Sequence, residues 1–219
     1  MNTLEIQTRL KSLGFDPGPL DGDWGRLTMA AVKAFQKAHG LDVDGIVGPI
    51  TAAALGVSVL AVPPWYSIAK SKMGLVETRD KKELMAFLKS DGNTLGDPSK
   101  LPWCGDFVQT CVALALPDEA LPANPYYALN WMKFGRALSA PHLGAVAVFH
   151  RTGGGHVGFV AGHDANYVHV LGGNQSNSVS IARVAKSRLE GYRWPATYDL
   201  PTDHMNVTTF DGTITTNEA

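Results

Sequence analysis

Apolar side chains in the first part of the chain recur at three- and four-residue spacing, the signature of helices with one buried stripe. Ile6, Leu10 and Leu13 form such a stripe ending at Gly14, and Asn2 with Glu5 reads as a capping box at its start. Leu27, Ala31, Phe35 and Ala38 share a face of a second helix that stops at Gly40. A third begins at Pro49, a residue suited to the first helical position, and runs to Leu55. Residues 57–65, with Pro63-Pro64, predict a short stiffened linker, followed by helices over 65–73 and 80–90. A loop rich in Asp, Gly, Asn and Pro (91–102) leads into a helix that opens at Cys104 and carries Phe107, Val108, Cys111, Val112 and Ala115. After Pro141 the period changes to two: 144–149, 156–161 and 167–171 read as strands separated by Gly-rich or Asp-Asn turns. Helices first and antiparallel strands afterwards predict an α+β domain behind a small three-helix one. The predicted boundaries are 1–56, a linker 57–65, a second domain 66–200 and a weakly ordered, Thr-rich, acidic tail 201–219.

An internal repeat ties the first domain together. Asp21-Gly-Asp-Trp24-Gly25-Arg-Leu-Thr28 recurs as Asp44-Gly-Ile-Val-Gly48-Pro-Ile-Thr51, each copy an Asp-Gly turn leading through a second glycine into a helix start. With Leu13-Gly-Phe-Asp before it, this resembles the small three-helix peptidoglycan-binding domain attached to many cell-wall hydrolases. The resemblance implies wall binding and points to Asp21, Trp24 and Asp44; the alternative is a bundle that only stabilises or dimerises its neighbour.

Composition excludes more than it proposes. The 219 residues allow one large or two modest domains, and the formal charge of −1 gives no footprint for nucleic acid. No apolar run approaches the ~20 residues needed to cross a bilayer, so no membrane insertion is expected. Met1-Asn-Thr-Leu-Glu-Ile6 shows no basic stretch followed by an apolar core, which predicts synthesis in the cytoplasm without a secretory signal. The two cysteines, Cys104 and Cys111, lie seven residues apart on one helix, about 10 Å, too far to pair.

Cys104 carries the chemistry. In the first turn of a helix it meets unpaired backbone N–H groups and the positive end of the dipole, both of which favour the thiolate. Cys111, among Val108, Val112 and Leu114, reads as a buried hydrophobe. Downstream, His156 sits in Gly155-His-Val-Gly-Phe159 after a triple glycine. Strand alternation turns it away from His163, so the two cannot readily share a site. His142, His150, His163, His169 and His204 read as structural or solvated. Counting by twos from Val168 places Asn174 on the face toward the site, where its amide oxygen would orient the imidazole. Gln175 is the rival, since a bulge at Gly172-Gly173 would exchange the faces. Cys, His and a polar amide, in this order, is the arrangement of papain-like cysteine hydrolases.

The ordered motifs Trp103-Cys104-Gly-Asp106-Phe-Val108, Asn130-Trp131-x-x-Phe-Gly135, 144–149, 155–159, Leu171-Gly-Gly-Asn174-Gln175 and Gly191-Tyr-Arg-Trp-Pro195 resemble the CHAP-like branch of the NlpC-type cysteine peptidases, over residues 65–195. That family is common in bacteriophage endolysins. The resemblance implies hydrolysis of peptidoglycan amide bonds by Cys104, His156 and Asn174, with Trp103, Asp106, Gln175 and Trp131 toward substrate and no metal or other cofactor. It also implies a monomer that reaches the wall once a holin-like partner has permeabilised the membrane. The pair after the cysteine departs from the family's small apolar residues, being Gly105-Asp106, which puts the thiol's reactivity in question. Glu77, in Gly74-Leu-Val-Glu, has no assignable role. Both stem-peptide or crosslink cleavage and N-acetylmuramoyl-L-alanine amidase action fit this site, with the first preferred because relatives often cut the stem. A zinc amidase fares worse: there is no His-Glu-x-x-His, and Ser139-Ala-Pro-His142 is not followed by an acidic ligand, Phe149 standing at that strand position. The third class is a non-catalytic wall-binding or structural protein.

Overall fold

The computed structural model describes residues 3–57 and 62–199, which fall into two compact units divided between Ala61 and Val62. The first holds α1 (Thr3–Ser12), α2 (Arg26–Ala38) and α3 (Pro49–Leu55) around Ile6, Leu10, Ala31, Val32, Phe35, Val47, Ala52 and Leu55. Asn2 of the expected capping box and the tail 201–219 lie outside the described residues.

The buried face of α2 differs from the expected one. Thr28, Ala31, Val32, Phe35 and Gln36 point inward, whereas Leu27 and Ala38 are exposed, as is Leu13 beyond α1. The polar intruders explain the rotation. Gln36 Nε2 donates to Asp44 Oδ1 (2.7 Å), Ile46 O (3.0 Å) and Thr51 Oγ1 (3.2 Å), and its Oε1 accepts from Gly45 N (2.9 Å). Gln7 on α1 repeats this on the other copy, donating to Asp21 Oδ1, Asp23 O and Thr28 Oγ1 while accepting from Gly22 N. Each Asp-Gly turn of the repeat is thus stapled by one buried glutamine. Asp21 and Asp44 each accept from that staple through Oδ1 while remaining exposed at the surface. Hydrogen bonds hold both carboxyls below the usual range, from Gln7 to Asp21 and from the Ile46 backbone, then Gln36, to Asp44. Trp24 remains on the surface, 41% exposed.

The second unit carries α4 (Pro64–Ser71), α5 (Lys81–Leu88) and α6 (Cys104–Ala115), then a 3-10 turn at Ala128–Lys133. Its strands are β1 (Arg136–Leu138), β2 (Val146–Arg151), β3 (Gly154–His163), β4 (Tyr167–Gln175), β5 (Ser178–Ala185) and β6 (Leu189–Trp194). They form one antiparallel sheet in the order β1-β6-β2-β3-β4-β5. This is the α+β class expected, with helices packed on an antiparallel sheet. Helix α6 lies against β3 and β4 and is backed by α4. Trp65, assigned to the linker from its Pro-Pro neighbours, belongs to this core: its Nε1 donates to Gly144 O at 2.7 Å, and its ring meets Trp194 and Tyr198 edge-on. The buried Glu119 carboxylate fastens the end of the sheet by accepting from the backbone N–H groups of Ala196 and Thr197, both at 2.8 Å.

Gln36→Leu keeps the volume but strands the Gly45 N–H and the turn it holds. It should destabilise the helical unit by about 1–3 kcal/mol. Calorimetry of the full chain would show one transition shifted down; an unmoved thermogram would mean the staple contributes nothing.

Candidate active site

Three elements meet at Cys104. Helix α6 begins there, with Trp103 at the N-cap and no side-chain cap on the first turn. Strand β3 presents His156, paired across the ladder with Phe149. Strand β4 ends in Gln175. Cys104 is 4% exposed, His156 1% and Gln175 fully buried.

The thiol and the imidazole are hydrogen-bonded to each other, and the Val157 backbone N–H also points at the sulfur. Burial pushes the Cys104 pKa up; the His156 hydrogen bond and charge, the Val157 N–H and the Arg151 charge push it down and prevail, so the thiol lies below its ordinary value. Cys111 has no such company. Burial drives it well above the ordinary value, against a weak pull from Lys72. The two cysteines are free.

The other side of the imidazole is held by Gln175, whose Oε1 lies 3.0 Å from His156 Nε2. The amide's orientation follows from its other contacts. Nε2 of Gln175 donates to Val170 O (3.2 Å) and Ser180 O (2.6 Å), two carbonyls that can only accept. The end facing His156 is therefore the oxygen, and His156 Nε2 must carry a proton. That leaves Nδ1 for the sulfur.

Strand parity predicts Asn174 in this role. The structure puts Gln175 there, because the β4–β5 register shifts between Gly172 and Gln175: Gly172 pairs with Ser180, but Gln175, not Asn174, pairs with Ser178. One extra residue exchanges the faces. Asn174 takes a left-handed conformation (φ 57°) in the bulge. A second bulge, between Val160 and Gly162, also undoes the parity argument that turned His163 away. Distance separates those rings instead, seven strand residues at about 3.3 Å each.

Of the residues expected toward substrate, Trp103, Asp106 and Trp131 are interior. Trp131 is fully buried and donates to Pro125 O at 2.8 Å. That carbonyl abuts Gly105, where an added Cβ would come within 2.3 Å of it, so only glycine fits after the cysteine. Asp106, two positions on, turns to the far side of α6. Its Oδ2 accepts from Thr94 Oγ1 and Leu95 N, both at 3.0 Å, and Oδ1 has no hydrogen-bond partner among the described residues. Burial, aided by Asp91, raises its pKa to about 6 against those two hydrogen bonds. It anchors the 91–97 loop rather than meeting substrate amines, and it is not among the groups acting on Cys104. Glu77, without a role from sequence, accepts from Trp103 Nε1 at 3.0 Å.

Comparison with known proteins finds matches to both units. Residues 2–55 match the family model of a putative peptidoglycan binding domain, and residues 96–174 that of the CHAP domain. The chain is 44% identical over 50 residues to the N-acetylmuramoyl-L-alanine amidase CwlM of Mycobacterium tuberculosis, and 40% over 50 residues to a spore cortex-lytic enzyme of Oceanobacillus iheyensis. A spore cortex-lytic enzyme of Bacillus cereus is 44% identical over 50 residues. Each alignment covers 23% of this chain but only 12%, 18% and 19% of the respective relative. No solved structure matches significantly. The chain is thus similar to a peptidoglycan-binding domain over its first unit and to a CHAP domain over part of its second, an order consistent with peptidoglycan hydrolase architecture.

Asp106 gives a pH signature. Its carboxyl binds a proton more tightly folded than unfolded, where 3.8 applies, so its stabilising contribution is complete at low pH and is lost as pH rises through about 6. Asp106→Asn mimics the protonated form. The melting temperature of the wild type, relative to this variant, should fall between about pH 4 and pH 7. Parallel curves would contradict the assignment.

Proposed function

We propose that this chain is a cysteine-dependent peptidoglycan amidohydrolase, with Cys104 as nucleophile, His156 as the proton shuttle and Gln175 as its orienting group. The observation that carries the reading is the buried Cys104–His156 pair with the imidazole held from behind by the Gln175 oxygen.

The chemistry follows from that arrangement. The Cys104 thiolate attacks the amide carbonyl carbon, forming a C–S bond and a tetrahedral oxyanion. N–H groups of the uncapped first turn of α6 are the donors at hand for that oxyanion. As the C–N bond breaks, His156 Nδ1–H gives its proton to the departing amine, leaving a thioester. The neutral imidazole then takes a proton from water, whose oxygen attacks the thioester. The second collapse releases a carboxylic acid and returns the thiolate–imidazolium pair. Through both steps the Nε2–H stays on Gln175, which keeps Nδ1 aimed at the sulfur.

The helical unit is read as the wall-binding module. Its contact is assigned to exposed side chains, Trp24, Leu27 and Ile50 beside the exposed carboxylates of Asp21 and Asp44. The role as an endolysin rests on the order of the motifs. Between the two bonds that fit, we favour the stem peptide or crosslink over the bond from muramic acid to L-alanine, following the habit of NlpC-type relatives.

Cys104→Ala should lower the clearing of purified peptidoglycan by about 10³-fold or more, while Cys111→Ala leaves turnover near the wild-type rate. A chelator should change neither. Activity that survives Cys104→Ala and disappears on chelation would end the cysteine reading. Mass spectrometry of the digest decides the bond: shortened stems or opened crosslinks support the preference, and intact stems released from free lactyl groups overturn it.

A further inference from the structure

We infer that Glu77 is a positioning residue for the thiol–imidazole pair, acting through the indole of Trp103. The inference rests on the reading of Cys104 as the nucleophile but asks what aligns it.

Trp103 connects the two halves of the site. Its backbone carbonyl accepts the first helical hydrogen bond of α6, from Phe107 N at 2.9 Å, so its position sets where Cys104 starts. Its side chain reaches the other half. A Cβ built on Gly173 would lie 2.4 and 2.6 Å from indole atoms Cζ3 and Cε3, and 2.8 Å from Phe107 Cβ. The indole edge therefore presses on bare backbone in the β4 bulge, two residues before Gln175. One ring touches the segment that places the orienting amide and is covalently next to the nucleophile.

A buried indole N–H needs an acceptor, and here it is Glu77 Oε2 at 3.0 Å. Trp103 is 1% exposed and Glu77 8%. Glu77 is itself held. Its N–H donates to Asn177 O at 2.8 Å, Val76 forms a bridge with Ser178, and Gly74 N and Leu75 O pair with Val179. The 74–77 segment thus runs antiparallel along the outer edge of β5, and its last residue, Glu77, meets the end of the turn that holds the left-handed residues Asn174, Ser176 and Asn177. Glu77 joins that turn, through its backbone N–H, to the indole, through its carboxylate, and the indole joins the bulge to the helix start. The path from the Glu77 carboxylate to Cys104 runs through Trp103.

Without the acceptor, Trp103 carries a buried unsatisfied N–H and the ring loses its fixed setting. A shift of a fraction of an ångström at either end then alters the sulfur-to-imidazole contact. A neutral acceptor of the same length, as in Glu77→Gln, preserves the bond.

The test uses the full chain and needs no wall substrate. Alkylation of Cys104 by iodoacetamide, read by peptide mapping, is followed against pH for the wild type, Glu77→Ala, Glu77→Gln and Trp103→Phe, with melting temperatures alongside. Glu77→Ala and Trp103→Phe should move the alkylation inflection upward by about one pH unit, a roughly tenfold loss of rate on its acid side. Glu77→Gln should stay within about twofold of the wild type. An unmoved inflection in Trp103→Phe overturns the inference, as does a Glu77→Gln protein that falls with Glu77→Ala, since charge rather than acceptance would then matter. If Glu77→Ala does not fold, Trp103→Phe and Glu77→Gln decide it. An ordinary thiol inflection in the wild type would instead sink the reading of Cys104 itself.

Discussion

The site depends on a conflict between burial and charge. A cysteine removed from water resists ionisation, and Cys111 shows the unopposed outcome. Cys104 is as deeply placed, yet its partners reverse the sign. The reversal is directional: it requires the right nitrogen of His156 at the sulfur and the Val157 N–H in line. Much of the second unit can be understood as the means of holding those directions.

Gln175 fixes the imidazole from behind, and its own amide is fixed by two backbone carbonyls on β4 and β5. The sheet's hydrogen-bond pattern therefore determines which nitrogen faces the thiol. Close approaches on bare backbone hold the other side: the Pro125 carbonyl against Gly105 and the Trp103 indole against Gly173. An added methyl group at either glycine would push apart elements that must stay within hydrogen-bond reach. The carboxylates nearby do separate work, Asp106 tying the 91–97 loop to α6 and Glu119 closing the end of the sheet.

Local signals in the chain reveal part of this. Helical periodicity and Pro49 locate the first three helices, and the position of Cys104 at a helix start distinguishes it from Cys111. Two kinds of feature were hidden. Buried polar residues are one: Gln7 and Gln36 look like solvated positions on amphipathic helices, so apolar periodicity alone turns the buried stripe of α2 by one position. Bulges are the other. Parity along β4 pointed to Asn174 because strand alternation assumes an unbroken ladder, and only the pairing of Gln175 with Ser178 reveals the extra residue. Strands β1, β5 and β6 are harder to read from sequence for a related reason, since half-buried segments interspersed with Arg, Ser and Gly carry weak apolar alternation.

The protonation of one ring carries the alignment of the thiol. Nitrogen-15 NMR of His156 in the folded protein should show Nε2 protonated at every pH where the fold persists. Nδ1 should be the only ring nitrogen that gains or loses a proton as Cys104 titrates. A neutral imidazole with its proton on Nδ1 and a bare Nε2 would contradict the amide orientation at Gln175, and with it the alignment of the thiol.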